Sequence, residues 1–397
     1  MFVTILTSSY PRSSEDEAGI FVARLVDALN AQGVHGEVIV PRDINESAHE
    51  QFGHFELKRF DYGLMTRGKL AFGSGMMPNI RRNPFVILQA PNLIFQMMRL
   101  ALKHTTSADL IHANWTLPLL AAWLLHRFRR IPYIVTIRGE DFKLLQQPIC
   151  RALLLPALRS ASKIVSVNSS FIDYLSTKAK IPRERFEEIP NGVHMQQASP
   201  EEIEKFKMRF SLNTARYLTF IGTLIPRKRI ELIFDALTGT DNQVLHLLLC
   251  GRLTDVSYLH DLRSLAQRLG IEHRIHFLGP LPPQDIPALL ALTEFYVTAS
   301  AFEGRPNAVL EALACGKAVL ASNIPAHAEI ILHKSNGFLF ANAKELAQQL
   351  NALNDNVVVL QEITEKAKAS VSALTWESCA KRYIQVYEEV KAQQHGM

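Results

Sequence analysis

An α/β protein of two doubly wound lobes is what this sequence predicts, and three observations predict it. Short β-rich runs alternate with helical patterns, the alternation runs through twice, and a turn-forming Ile-Pro-Asn-Gly-Val stretch at 189–193 separates the two passes. The chain has 397 residues, enough for two domains, and its 48% hydrophobic and 20% charged content excludes disorder and collagen-like repetition.

In the first pass FVTILTS, EVIVP, DLIHAN, YIVTI and KIVSVN read as buried strands. GIFVARLVDALNAQG repeats apolar positions at helical spacing and stops at Gly33, a C-terminal cap signal, and LPLLAAWLLHRFRR is a second amphipathic helix. After the hinge YLTFIGT, VLHLLLCG, IHFLG, EFYVTAS and AVLAS restart the strand pattern, with the helical LIFDALTG among them. TWESCAKRYIQVYEEVKAQ is a charged, aromatic helix that either packs back across the lobes or stays solvated. The expected division is a first domain at 1–191 and a second at 192–375, with the helix at 376–397 either returning to the first or standing apart in solvent. Ligands of such sheets bind beyond the carboxyl ends of the strands, so the chemistry is expected in a central cleft that the two lobes face.

The opening MFVTILTSSYP has no basic lead and too short an apolar run for a signal peptide. Phe85 to Met98 is apolar but holds Pro91 and Asn92, and it falls short of the roughly 18 residues of a spanning helix. Cys150, Cys250, Cys315 and Cys379 lie far apart without a Cys-x-x-Cys, which argues against a zinc ribbon or a disulfide framework and fits a reducing cytoplasm. Residues 58–163 carry 16 basic against 4 acidic side chains. That excess is either a solvated face or a surface for an anionic partner, lipid headgroups or a phosphorylated acceptor. The basic residues are dispersed and no recognition motif accompanies them, so no nucleic acid partner is expected.

The segment SAFEGRPNAVLEALACGK, 300–317, carries the most chemistry. EFYVTAS is a strand, AFEGR a loop, and Pro306 suits the first turn of a helix that ends at Gly316. Glu303 then stands at the carboxyl end of a strand, and the N–H groups near Asn307 and Ala308 form an anion site at a helix start. Glu311 lies on the Ala308 face, one turn further in, beside the small Ala312 and Cys315, where a carboxylate can accept two hydrogen bonds from a vicinal diol. The alternative makes Glu303 a capping acid and Glu311 a surface residue. FIGTLIPRKRIELIFDAL, 220–237, repeats the strand, loop and helix arrangement and puts Arg227 and Lys228 in the loop, two cations suited to a departing diphosphate.

Glu303-x7-Glu311 within FEGRPNAVLEALACGKAVLAS, the GTLIPRK loop, IPNGV and the AGIF turn together resemble the retaining, nucleotide-sugar-dependent glycosyltransferases of family 4, group 1, which have the GT-B fold of two Rossmann-like lobes. The resemblance implies that Lys228 and Arg227 bind the donor diphosphate beside Gly222, Glu303 touches the donor sugar, Glu311 holds the ribose, and main chain from Arg305 through Asn307 to Ala308 completes the contacts. Gly19 falls where the family brings backbone close to the donor phosphates, and Gly251, Arg252 and Leu278 fall where it meets the base. It also implies a same-face reaction in which the leaving phosphate takes the acceptor proton, with no metal and no cofactor, the nucleoside-diphosphate sugar being a co-substrate. The implied acceptor is a glycan or a lipid-linked glycan of surface polysaccharide biosynthesis. The expected location is the cytoplasm, and FDYGLMTRGKLAFGSGMMPNIRRNP, which mixes basic residues with Met and aromatics, is either a peripheral contact with an anionic membrane face or a loop of scattered solvated charge.

The sequence departs from the family at three places. Thr223 stands where an Arg is common, Arg138-Gly139-Glu140-Asp141 where His-Gly-x-Asp is frequent, and His112-Ala113-Asn114 where His-x-His is frequent. Arg138, Asp141 and His112 are accordingly the acceptor-side candidates, against a helix-start role for Asp141 and a satisfied core position for His112. No Asp-x-Asp or His-Glu-x-x-His offers a metal, and Gly73-Ser74-Gly75 lacks the third glycine of a dinucleotide fingerprint. Two alternatives stay open, a nucleotide-sugar epimerase of similar architecture and a catalytically silent nucleotide-sugar-binding scaffold.

Overall fold

The computed structural model describes every residue except 14, 15, 17, 43–46, 64–67, 72–75, 105–108, 194–196, 213–215, 242, 254, 355, 396 and 397. Arg67 and Gly73-Ser74-Gly75 lie outside the described residues. The chain divides into two compact units, residues 1–192 with 375–397, and residues 193–374.

The first unit is built on eight strands, β1 (Phe2–Thr7), β2 (His35–Pro41), β3 (His49–Phe52), β4 (Phe55–Phe60), β5 (Leu110–Asn114), β6 (Tyr133–Ile137), β7 (Lys163–Ser166) and β8 (Phe186–Glu188). They lie in the order β3-β4-β2-β1-β5-β6-β7-β8, all parallel except the β3–β4 pair. Apart from the exposed β3, the strands are covered on both faces and alternate between two cores: Leu6, Ile39, Ile111, Val135 and Ile164 on one side, Ile5, Val38, Leu110, Ile134 and Val165 on the other. The first face is covered by helices that include Ala90–His104 and Thr116–Arg129, the second by helices Ile20–Ala31 and Trp376–His395. The last helix therefore packs on the first unit, burying Ala380, Tyr383, Tyr387 and Val390 there.

The second unit has six parallel strands, β9 (Arg216–Ile221), β10 (Leu245–Cys250), β11 (Ile275–Gly279), β12 (Thr293–Thr298), β13 (Ala318–Ser322) and β14 (Phe338–Phe340). Their order, β11-β10-β9-β12-β13-β14, is that of a Rossmann sheet, reversing direction between β9 and β12. The α/β class with two doubly wound Rossmann-like lobes, read from the alternation of runs, is what the structure shows.

Two segments differ from the sequence reading. β3 and β4 form a hairpin about Gly53, whose φ of 55° supplies the left-handed turn. Every residue of β3 is exposed, so HEQF has no apolar periodicity to betray it. The second is 84–104, where Pro91 does not break the helix. A 3-10 turn over Pro84–Gln89 runs into the helix Ala90–His104, and Pro91 occupies its first turn, where no N–H is needed. Pro84–Lys103 is thereby long and apolar enough to cross a membrane by length and composition, which corrects the expectation that it falls short.

The helix Trp376–His395 is tied to the sheet by polar groups as well. His112 is fully buried, with Nδ1 2.8 Å from the Tyr387 hydroxyl and Nε2 2.8 Å from Thr136 Oγ1, and that hydroxyl lies 3.0 Å from the Tyr383 hydroxyl. Both ring nitrogens are thus spent inside the fold, and His112 leaves the acceptor-side set. Burial, with a smaller contribution from Arg138, pushes its pKa from 6.5 down to about 3. The folded protein therefore favours the neutral ring. Its contribution to stability is complete above about pH 6.5 and declines as pH falls toward 3.

Replacing Tyr387 by Phe is expected to cost about 1–2 kcal/mol, read as a lowered urea midpoint with an unchanged slope. The wild-type midpoint should fall on acidification below pH 6.5, and His112→Gln should flatten that dependence.

Candidate active site

Reversal of strand order leaves the loops after β9 and β12 side by side, because the helices that follow them depart on opposite faces. Those loops carry 222–229 and 299–306. Three consecutive basic residues lace them together. The Arg227 carbonyl accepts from the Ala301 N–H at 2.9 Å, and its guanidinium donates to the Phe302 carbonyl. Arg229 donates from Nε to the Ala299 carbonyl at 2.6 Å. Between them Lys228 Nζ donates to Glu303 Oε1, the oxygen that also accepts from Ser300 Oγ at 2.6 Å, and Arg227 Nη1 stands 3.5 Å from Glu303 Oε2.

The cluster is largely sheltered, with 12% of the Glu303 side chain and 14% of the Lys228 side chain accessible. Burial alone would raise the Glu303 pKa, but Lys228, Ser300 and Arg227 together hold it below the ordinary carboxylate value. Glu303 is therefore an anion at neutral pH, and its neighbours present positive charge to whatever approaches. Lys228 and Glu303, assigned by sequence to different parts of a ligand, are in direct contact.

Glycines shape the floor. A methyl group on Gly222 would stand 3.6 Å from Lys228 Nζ, and one on Gly251 would stand 1.9 Å from the Gly222 carbonyl oxygen. The ends of β9 and β10 can thus close up only because Gly251 has no side chain. Hydrogen bonds from Leu224 N–H to the Arg252 carbonyl and from Gly251 N–H to the Gly279 carbonyl, both 2.9 Å, hold that edge, with Leu278 half-buried beside it.

Glu311 lies half-buried on the helix Asn307–Ala314, one turn from Ala308 and next to the fully buried Ala312. Pro306 precedes this helix instead of opening it. The Asn307 N–H donates to the Arg305 carbonyl at 3.0 Å, which corrects the expectation that it stands free and leaves the helix start to Ala308 and Val309.

Two further residues join the cluster. Tyr296 on β12 is 1% exposed, and its hydroxyl pKa is raised by burial first and then by the charges of both Glu303 and Glu311, so the phenol lies within electrostatic reach of the two acids. His327 is fully buried, donates from Nδ1 to the Ser322 carbonyl at 2.8 Å, and among the described residues has no partner for Nε2. Burial keeps its ring neutral, leaving Nε2 an acceptor. Neither was legible, since an aromatic in a strand and a lone His at a short helix both read as core.

In the first unit the order reverses between β1 and β5. Gly19, at φ 73°, starts the helix Ile20–Ala31, and a side chain there would stand 2.4 Å from the Ser9 carbonyl oxygen. Arg138 is 6% exposed, donates to Asn191 Oδ1 at 2.6 Å, stacks 4.3 Å over the Phe21 ring, and keeps a buried Nε without a partner among the described residues. Asp141 is 4% exposed; Oδ1 accepts the Thr116 N–H at 2.9 Å and Oδ2 the Arg138 N–H at 3.1 Å. Burial pushes its pKa up to about 7 despite these bonds. Asp141 thus ties two helix starts together, the helix-start role of its two readings, and leaves the acceptor-side set. Asn114, at the end of β5, is fully buried with both carboxamide atoms unpartnered among the described residues, and Trp115 beside it adopts φ 72°.

HepE of Anabaena, solved in complex with UDP and glucose, superposes with a TM-score of 0.75 over 98% of this chain and 100% of that one, at 20% identity. The fold is therefore that of the GT-B glycosyltransferases. Residues 18–197 match Glycosyltransferase Family 4 and residues 177–370 match Glycosyl transferases group 1. The chain belongs to these family-4, group 1 glycosyltransferases, a family that uses nucleotide-sugar donors. An uncharacterized glycosyltransferase of Methanocaldococcus jannaschii is 25% identical over 71% of this chain and 76% of its own length. The GDP-mannose:cellobiosyl-diphosphopolyprenol alpha-mannosyltransferase of Komagataeibacter xylinus is 24% identical over 73% of each.

Gly251→Ala should lower stability by about 2–4 kcal/mol, because the added methyl meets main chain that cannot swing away. A melting temperature within a degree or so of wild type would show that the edge is softer than the packing indicates.

Proposed function

We propose that the protein transfers a glycosyl group from a nucleoside-diphosphate sugar to a hydroxyl of a glycan or lipid-linked glycan, with retention and without a metal. The observation that carries this reading is the Lys228–Glu303 contact, flanked by Arg227, at the switch point of the second unit. Lys228 and Arg227 would meet the diphosphate, Glu303 the sugar hydroxyls, Glu311 the ribose diol, main chain at Arg305 to Ala308 the phosphates and sugar, and the edge formed by Gly251, Arg252 and Leu278 the base.

In the reaction the bond from the anomeric carbon to the diphosphate oxygen breaks, and the acceptor oxygen forms its bond on the same face. The acceptor proton passes to the departing phosphate oxygen, and nucleoside diphosphate leaves. Negative charge grows on the leaving group beside two fixed cations and a helix start, an arrangement that requires no reorganisation as the barrier is crossed. Glu303, held ionised, faces the positive charge that develops at the sugar.

A lipid-linked acceptor is supported by the diphosphopolyprenol named for the Komagataeibacter relative. The four free cysteines fit work in a reducing cytoplasm.

A thermal-shift panel of nucleoside diphosphates should identify the base, and incubation of the matching sugars with and without acceptor glycans should show acceptor-dependent release of nucleoside diphosphate. Lys228→Ala is expected to lower turnover by about 100-fold or more. A crystal structure with the activated sugar that placed Glu311 in bulk water and Lys228 away from both phosphorus atoms would overturn the assignment.

A further inference from the structure

We infer that the helical segment 84–104 of the first unit is an interfacial element that lays this unit on an anionic lipid bilayer. Its two faces are sharply different. Leu93, Met97 and Ala101 are fully buried in the core beneath the sheet, and Val86 is 7% exposed. On the other side Phe85 is 77% exposed, Leu88 69% and Phe95 58%, with Ile87 also outward.

The charged residues along and beside this patch are all basic. Between Asp61 and Asp109 the sequence has no acidic residue. Arg82 precedes the patch, and Arg99 and Lys103 continue the outward stripe from Phe95 at four-residue spacing, all three exposed. Among the described residues none of them has an ion-pair partner. The arrangement along the surface is basic, apolar, basic: side chains that enter the acyl boundary, set between cations that meet phosphate headgroups.

The same observations discriminate between occupants. Crossing the bilayer would strip Leu93, Met97 and Ala101 from the core of the first unit, so the segment lies in the interface in spite of its length. A second copy of the chain would bring like charges at Arg82, Arg99 and Lys103 toward one another around the apolar contact. An anionic bilayer satisfies the aromatic and the basic groups together. Membrane docking goes beyond the transfer reaction, and the two can fail separately.

The experiment is vesicle flotation of the full chain with phosphatidylglycerol–phosphatidylcholine vesicles against phosphatidylcholine alone. Recovery is expected with the anionic vesicles and should fall as salt is raised. Combined Phe85→Ser, Leu88→Ser and Phe95→Ser should weaken partitioning by about 10-fold or more. Combined Arg82→Glu, Arg99→Glu and Lys103→Glu should abolish the preference for anionic lipid. All six side chains are exposed, so the urea midpoint and the nucleotide thermal shift should stay at wild-type values; those readouts report the transfer reading and not the docking. Absence of flotation, recovery unchanged in both variants, or a wild-type dimer in sedimentation that the serine variant loses would overturn the proposal.

Discussion

The meeting of Lys228 with Glu303 depends on a constraint that operates far below the level of catalysis. Parallel strands need crossover helices, and the crossovers are right-handed, so a sheet that grows in both directions from its first strand must send two neighbouring helices to opposite faces. In the second unit those neighbours follow β9 and β12. The space this opens is the one part of the sheet edge where polar side chains can be sheltered without interrupting a ladder. There the loops 222–229 and 299–306 are held by main-chain and guanidinium hydrogen bonds, so the ion pair sits on a fixed frame.

Shelter makes the pair interdependent. A carboxylate with 12% of its side chain accessible is costly to leave without its counter-charge; removing Lys228 would leave Glu303 only Ser300 and Arg227, and removing Glu303 would leave the Lys228 ammonium sheltered without its carboxylate. Tyr296 and His327 add an uncharged phenol and an uncharged imidazole nearby, so the surroundings supply dipoles without competing charge.

Much of this was legible in the sequence because it follows from local pattern. Each buried parallel strand is a short apolar run, and Glu303, Lys228 and Arg227 declare themselves by standing in loops between such a run and a helix. The β3–β4 hairpin was not legible, because an edge strand exposed along its length has no apolar period. The helix through Pro91 was hidden because a proline in a first turn looks the same in sequence as one that ends a helix. For His112 and Asp141 the sequence left two roles open, for another reason. The partner that decides the role of His112, Tyr387, is 275 positions away, and the Thr116 N–H that claims Asp141 is 25 away. Spacing of residue types near one motif carries no trace of such pairings.

The helix Trp376–His395 contributes Cys379, Ala380, Tyr383, Val386, Tyr387 and Val390 to a core whose other members come from the first 190 residues. On the ribosome, residues 193–374 can complete their own sheet as soon as they emerge. The earlier half must wait with one layer of its interior open until residue 390 has been made. The amino-terminal half of the polypeptide is consequently the last to mature, and during synthesis its unfinished interior is the surface a chaperone would have to shield.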